Sequence, residues 1–220
     1  MPPSQDAPDE LKTPKAAAVA GILFSVLLLS ALVLVLQTLR LHPDDPGDWV
    51  GAQSWKVALA LNLIPFAGIA FLWFMGVLRD RLGAEENRLF ATVFLGSGLL
   101  FVGMLFVAAS AIGAILITHA TRPGELAGTV TFTLVRSFAY NLASIYAMKV
   151  SSVFLITAST IVLRTGITAR WTAFIGYAAA AVILFGSHLV DWTFLVFPMW
   201  VLVVSCDILA REYRHVEPLE

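Results

Sequence analysis

LFATVFLGSGLLFVGMLFVAASAIGAILI, residues 89–117, contains no Asp, Glu, Lys, Arg or His. About 20 apolar residues in a helix suffice to cross the roughly 30 Å of hydrocarbon in a bilayer, and this run is longer. It is apolar on every side, whereas a helix on the surface of a soluble protein keeps a polar face for water. It is also too long and unbroken for barrel strands of about ten residues. A helix satisfies its own backbone hydrogen bonds in lipid, so the stretch reads as a membrane-spanning helix.

Working outward from it, five further runs read the same way. The fold class is an all-α, polytopic membrane helix bundle. Its six transmembrane helices are expected at Ala16–Leu39, Trp55–Leu78, Leu89–Thr118, Val130–Leu163, Trp171–Ser187 and Trp192–Ile208. Residues 1–15 read as a disordered cytosolic tail, 16–209 as the membrane domain and 210–220 as a second cytosolic tail. The whole chain fits this class: 220 residues, 59% hydrophobic and 13% charged, with a mean hydropathy of +0.84. Soluble domains carry about 25% charged residues. The first run is longer than the roughly 7–15 apolar residues of a signal peptide and lacks a cleavage site. A net charge of -1 gives no reason to expect nucleic acid as a partner. Cys206 is the single cysteine, so an intrachain disulfide is excluded.

Lysine and arginine set the orientation. Lys12, Lys15, Arg79, Arg81, Arg88, Arg164, Arg170, Arg211 and Arg214 fall on one side, against Arg40, Lys56 and Arg122 on the other. Both termini are therefore expected in the cytoplasm. Arginine outnumbers lysine and alanine is frequent, as GC-rich bacterial coding produces, so the expected location is a bacterial cytoplasmic (inner) membrane. Trp49, Trp55 and Trp192 are expected at the outer interface and Trp171 at the inner one.

Gly96, Gly103 and Ser110 recur every seven residues in the third span, and Ala109 with Gly113 forms a small-xxx-small pair. Such residues let helices approach closely in lipid, so this span is expected near the bundle centre. Pro65 and Pro198 lie inside the second and sixth spans, where each is expected to remove a backbone bond and kink its helix.

Charge inside the spans is concentrated in the fourth, which holds Arg136 and Lys149. On a straight helix Arg136, Tyr140, Ser144 and Ser151 share one side, with Ser137, Asn141 and Ser152 extending it; Lys149 then points about 80° beyond Asn141. A lysine in mid-bilayer costs roughly 2.5–3.5 kcal/mol on insertion scales, so it needs a partner or water. The plain alternative is that Lys149 snorkels outward, or donates to helix carbonyls and serines, with a structural role only. The polar flank is expected to face the interior. There Lys149, Arg136, Tyr140, Asn141 and Asn62 form the candidate ligand-binding set, suited to a small anionic solute or a lipid. A weaker set, His119, His188 and Asp191, carries the alternative of a metal or haem site in a membrane enzyme. Intramembrane proteolysis is excluded because Ser97 and His188 sit toward opposite faces, out of reach as nucleophile and base. No phosphate-binding glycine loop is present.

The expectation is thus a non-enzymatic protein without a cofactor. It binds or transports an anionic solute or lipid through an outward-facing polar cavity. The alternative is an accessory protein whose polar flank packs against a membrane partner.

Overall fold

The computed structural model describes residues 14–38, 49–80, 88–186 and 191–216. They form helices α1 (Pro14–Thr38), α2 (Trp49–Ala52), α3 (Ser54–Asp80), α4 (Arg88–Thr121), α5 (Val130–Asn141), α6 (Met148–Thr165), α7 (Arg170–Gly186) and α8 (Val196–Val216). A π turn, Leu142–Ala147, joins α5 to α6, and a 3-10 turn, Asp191–Leu195, leads into α8. No strand occurs among the described residues. The N-terminal tail before Pro14, the loop holding Asp44 and Asp45, and His188 lie outside the described residues.

Among the described residues, five segments are long and apolar enough to cross a membrane: Lys15–Thr38, Ser54–Arg79, Leu89–Thr121, Val130–Thr165 and Thr193–Tyr213. The remaining apolar helix, α7, has 17 residues. At 1.5 Å per residue it reaches only about 25 Å. The last helix runs to Val216, well past the expected end at Ile208, because its amphipathic final turns still satisfy their own backbone bonds.

Local chemistry sets the helix ends. Thr129 Oγ1 accepts the Phe132 N–H at 3.2 Å and starts α5. Gly166, at φ 66°, ends α6 by donating its N–H to the Val162 carbonyl. Pro198 occupies the first turn of α8, where no intrahelical donor is needed. The kink expected there is therefore not required. Pro65 does lie within α3, opposite the Leu61 carbonyl that it cannot serve.

Successive long helices run antiparallel. Gly21 lies against Phe74 and Ser205, Gly98 against Met75, and Gly113 against Leu61. One end of the bundle collects Lys15, over the Tyr213 ring at 5.7 Å, and Arg164, over the Phe90 ring at 5.2 Å. This end is called the Arg164 end and the other the Trp49 end.

The core is a cluster of phenylalanines from five helices: Phe24, Phe71, Phe74, Phe94, Phe101, Phe154 and Phe197, all at most 2% exposed. Phe71 is its hub, with ring centroids at 4.6 Å to Phe24, 5.0 Å to Phe154, 5.7 Å to Phe197, 5.8 Å to Phe101 and 6.3 Å to Phe74. A second cluster at the Trp49 end joins Trp49, Val50, Val57, Ile115 and Phe132.

One expectation is corrected here. The third span is not central. Its apolar stretch is 22% buried, the least of the five, while Val130–Thr165 is the most buried at 61%. Gly96, Gly103 and Ser110 are exposed, and a Cβ on either glycine meets open space. Close approach is made instead by Gly98, Gly68, Gly21 and Gly176, whose added Cβ atoms all meet side chains of other helices. Trp49 is 5% exposed and packs in the second cluster, while Trp55 and Trp171 project from the bundle surface.

Candidate functional site

A cavity of about 360 Å³ lies between the two apolar clusters, in the half of the bundle toward the Trp49 end. Its walls come from four helices, the π turn and the 3-10 turn. Leu28, Leu32 and Leu36 of α1, Leu61 and Ile64 of α3, Leu105 and Ala108 of α4, and Phe194 are apolar. The polar wall is confined to α5 and the π turn: Arg136, Ser137, Tyr140, Asn141 and Ser144. α1 packs on α3 and α8, while α5 packs on α4. The cavity therefore has α1 and α5 on facing walls, each anchored to different neighbours.

The π turn closes the polar wall and carries Ser144. One extra residue per turn breaks the α-helical register, and such insertions recur at functional sites. Many buried hydroxyls in the spans bond back to their own helix, though those of Ser159 and Ser205 have no partner among the described residues. Ser25 donates to the Gly21 carbonyl at 2.8 Å, Ser97 to Val93 at 2.7 Å and Ser151 to Met148 at 2.8 Å. Ser144 is 3% exposed, yet its Oγ has no hydrogen-bond partner among the described residues. Ser144 lies in the widened turn, and its hydroxyl is left at the cavity wall. A buried hydroxyl without a partner costs about 1–3 kcal/mol, so a group that binds there recovers that cost.

Of the sequence-derived set, Arg136, Tyr140 and Asn141 come together on this wall. Asn62 does not. It is exposed, and its Nδ2 donates to the Ala58 carbonyl at 2.8 Å, while its neighbours Leu61 and Ile64 face the cavity. Lys149 is exposed on the outside of the bundle and is absent from the wall. The register break changes its face without bringing it onto the wall: one inserted residue turns everything after it back by about 100° relative to a straight helix. Lys149 is thereby carried from about 80° on one side of Asn141 to about 20° on the other.

His119 ends α4, half-buried, with its Nδ1 unpaired among the described residues. His188 and the Asp191 side chain lie outside the described residues, so the metal set is not assembled here. Among the described residues no three His, Cys, Asp or Glu side chains are grouped to hold a metal.

Sequence reasoning placed Arg136 and Tyr140 through their four-residue spacing. It grouped Ser144 with them but did not single it out. The α1 wall carried no signal, since its leucines look like those of any span. No protein-family model, curated protein or solved structure matches the chain.

Proposed function

We propose that this chain is a six-span protein of a bacterial cytoplasmic membrane, with both termini in the cytoplasm, that binds a single-chain anionic amphiphile in the cavity beside the π turn. The distribution of positive charge supports the orientation. Lys15, Arg79, Arg164, Arg170 and Arg211 mark the Arg164 end, against Lys56 and Arg122 at the Trp49 end. The cavity then lies in the outer half of the membrane. α7 spans with help from adjacent residues or local thinning of the bilayer.

One observation carries the ligand class: a cation and an unpartnered hydroxyl occupy one wall of a cavity whose other walls are apolar. Arg136 presents a planar fork suited to a carboxylate or phosphate. The Ser144 hydroxyl donates to the same headgroup. The leucines of α1, α3 and α4 take the chain. The volume is at the small end of ligand pockets, which run to roughly 1,000 Å³, so one chain fits better than two.

The test is binding of oleate, lysophosphatidylcholine and inorganic phosphate to wild type and Arg136→Gln in neutral detergent, followed by thermal shift. Oleate is expected to stabilise the wild type most and to lose about tenfold in affinity in the variant, as loss of a charge-assisted bond implies. Equal responses to oleate in both proteins, or equal responses to all three ligands, would overturn the proposal.

A further inference from the structure

Lys149, Asn141 and Tyr146 are all exposed on the outer surface of the most buried span. The register break of the π turn brings Lys149 back to within about 20° of Asn141, so the two share one face. Val153 and Ile156, both exposed, continue that face along α6 at spacings of four and three. Lys149 is five residues, about 7.5 Å of helix, from Phe154 in the central ring cluster. Its depth is therefore that of the middle of the bundle, not of either end.

Hydrocarbon alone cannot solvate an ammonium at this depth, and among the described residues no acid lies there. The described acidic side chains are Glu125, in the loop after α4, and Asp207 and Glu212, near the Arg164 end of α8. Asp207 is also engaged, accepting from the Ala169 N–H at 2.8 Å and from Arg211 Nε at 2.9 Å. A second copy of the chain would bring the same described acids at the same depths.

We infer that this face docks a transmembrane helix of a different chain, one that carries an ionised carboxylate at mid-membrane. The carboxylate pairs with Lys149. The Asn141 amide and the Tyr146 hydroxyl add hydrogen bonds between the helices, and Val153 and Ile156 pack below them. This face shares Asn141 with the rim of the cavity, but Lys149 itself is absent from the cavity wall.

The full-length protein, labelled at the exposed Cys206, is reconstituted in phosphatidylcholine vesicles with a synthetic helix of about 20 leucines and alanines. The helix carries one central Asp, Asn or Leu, and association is read by energy transfer. The Asp helix is expected to bind at least tenfold more tightly than the Leu helix, with the Asn helix between. Lys149→Met should erase the preference and Lys149→Arg should keep it. Lys149 is exposed, so both variants should fold as wild type does. Equal binding of all three helices to the wild type, or a preference that survives Lys149→Met, would overturn the proposal. So would Lys149-dependent binding of added phosphatidylglycerol with no helix preference, which would assign the face to a lipid headgroup.

Discussion

Replacing Phe71 by alanine removes the hub of the ring cluster. In a membrane the unfolded helices remain in lipid, so little transfer free energy is lost with the ring. What is lost is packing. A buried phenylalanine covers about 150 Å² or more. Cavity surface costs about 20 cal/mol per Å², which gives roughly 3 kcal/mol for the void left behind. Phe71 meets five rings within 6.3 Å, so collapse of one neighbour leaves the others short of contacts. The expected loss therefore stands at about 3 kcal/mol, more than a hundredfold in the folding equilibrium. Phe66, five residues earlier on α3, is 64% exposed and supplies the control. Phe66→Ala should cost less than about 0.5 kcal/mol. Reversible unfolding in mixed micelles, followed by tryptophan fluorescence, measures both. If Phe71→Ala and Phe66→Ala are equally stable, the ring cluster is not the core and the packing account fails.

An alanine at Gly176 meets the Ser159 hydroxyl and Trp200, whose indole Nε1 lies 2.7 Å from the added Cβ. Gly176→Ala should destabilise by about 1–3 kcal/mol, whereas Gly96→Ala, facing open space, should be neutral or stabilising by up to about 1 kcal/mol; thermal unfolding in detergent distinguishes them. Asp207→Ala removes the acceptor for the Ala169 N–H and should cost about 1.5–3 kcal/mol, with hydrogen exchange of the Ala169 amide rising while that of Phe71 changes little.

The helices were legible in the sequence because apolar length alone announces them. Their faces were not. In a soluble helix the buried stripe is apolar and the rest polar, but here both the core and the outer surface are apolar, so the contrast that reveals a face is absent. Phe71 and Phe66 are the same residue type on the same helix, one fully buried and one exposed. Gly96 and Gly98 differ in the same way: a two-residue step separates an open surface from a close contact with Met75. Polar residues are the exception, and Arg136, Tyr140 and Ser144 did reveal one wall of the cavity through their spacing. The extrapolation failed beyond the π turn. A straight helix leaves Lys149 about 80° beyond Asn141, and one inserted residue brings it to within about 20° of Asn141, on the exposed face. Nothing in LASIYA, residues 142–147, distinguishes that widened turn from an ordinary one.

The central claim is that the cavity beside Arg136 holds one acyl chain. Ala108 lines it and is 7% exposed. Ala108→Phe would place a ring in that space without requiring the core to expand. Native mass spectrometry of the two proteins, purified in parallel and loaded with oleate, measures the occupant directly. The account predicts a single oleate adduct on the wild type and none on a folded Ala108→Phe. An adduct of equal intensity on both would place the ligand elsewhere and contradict it.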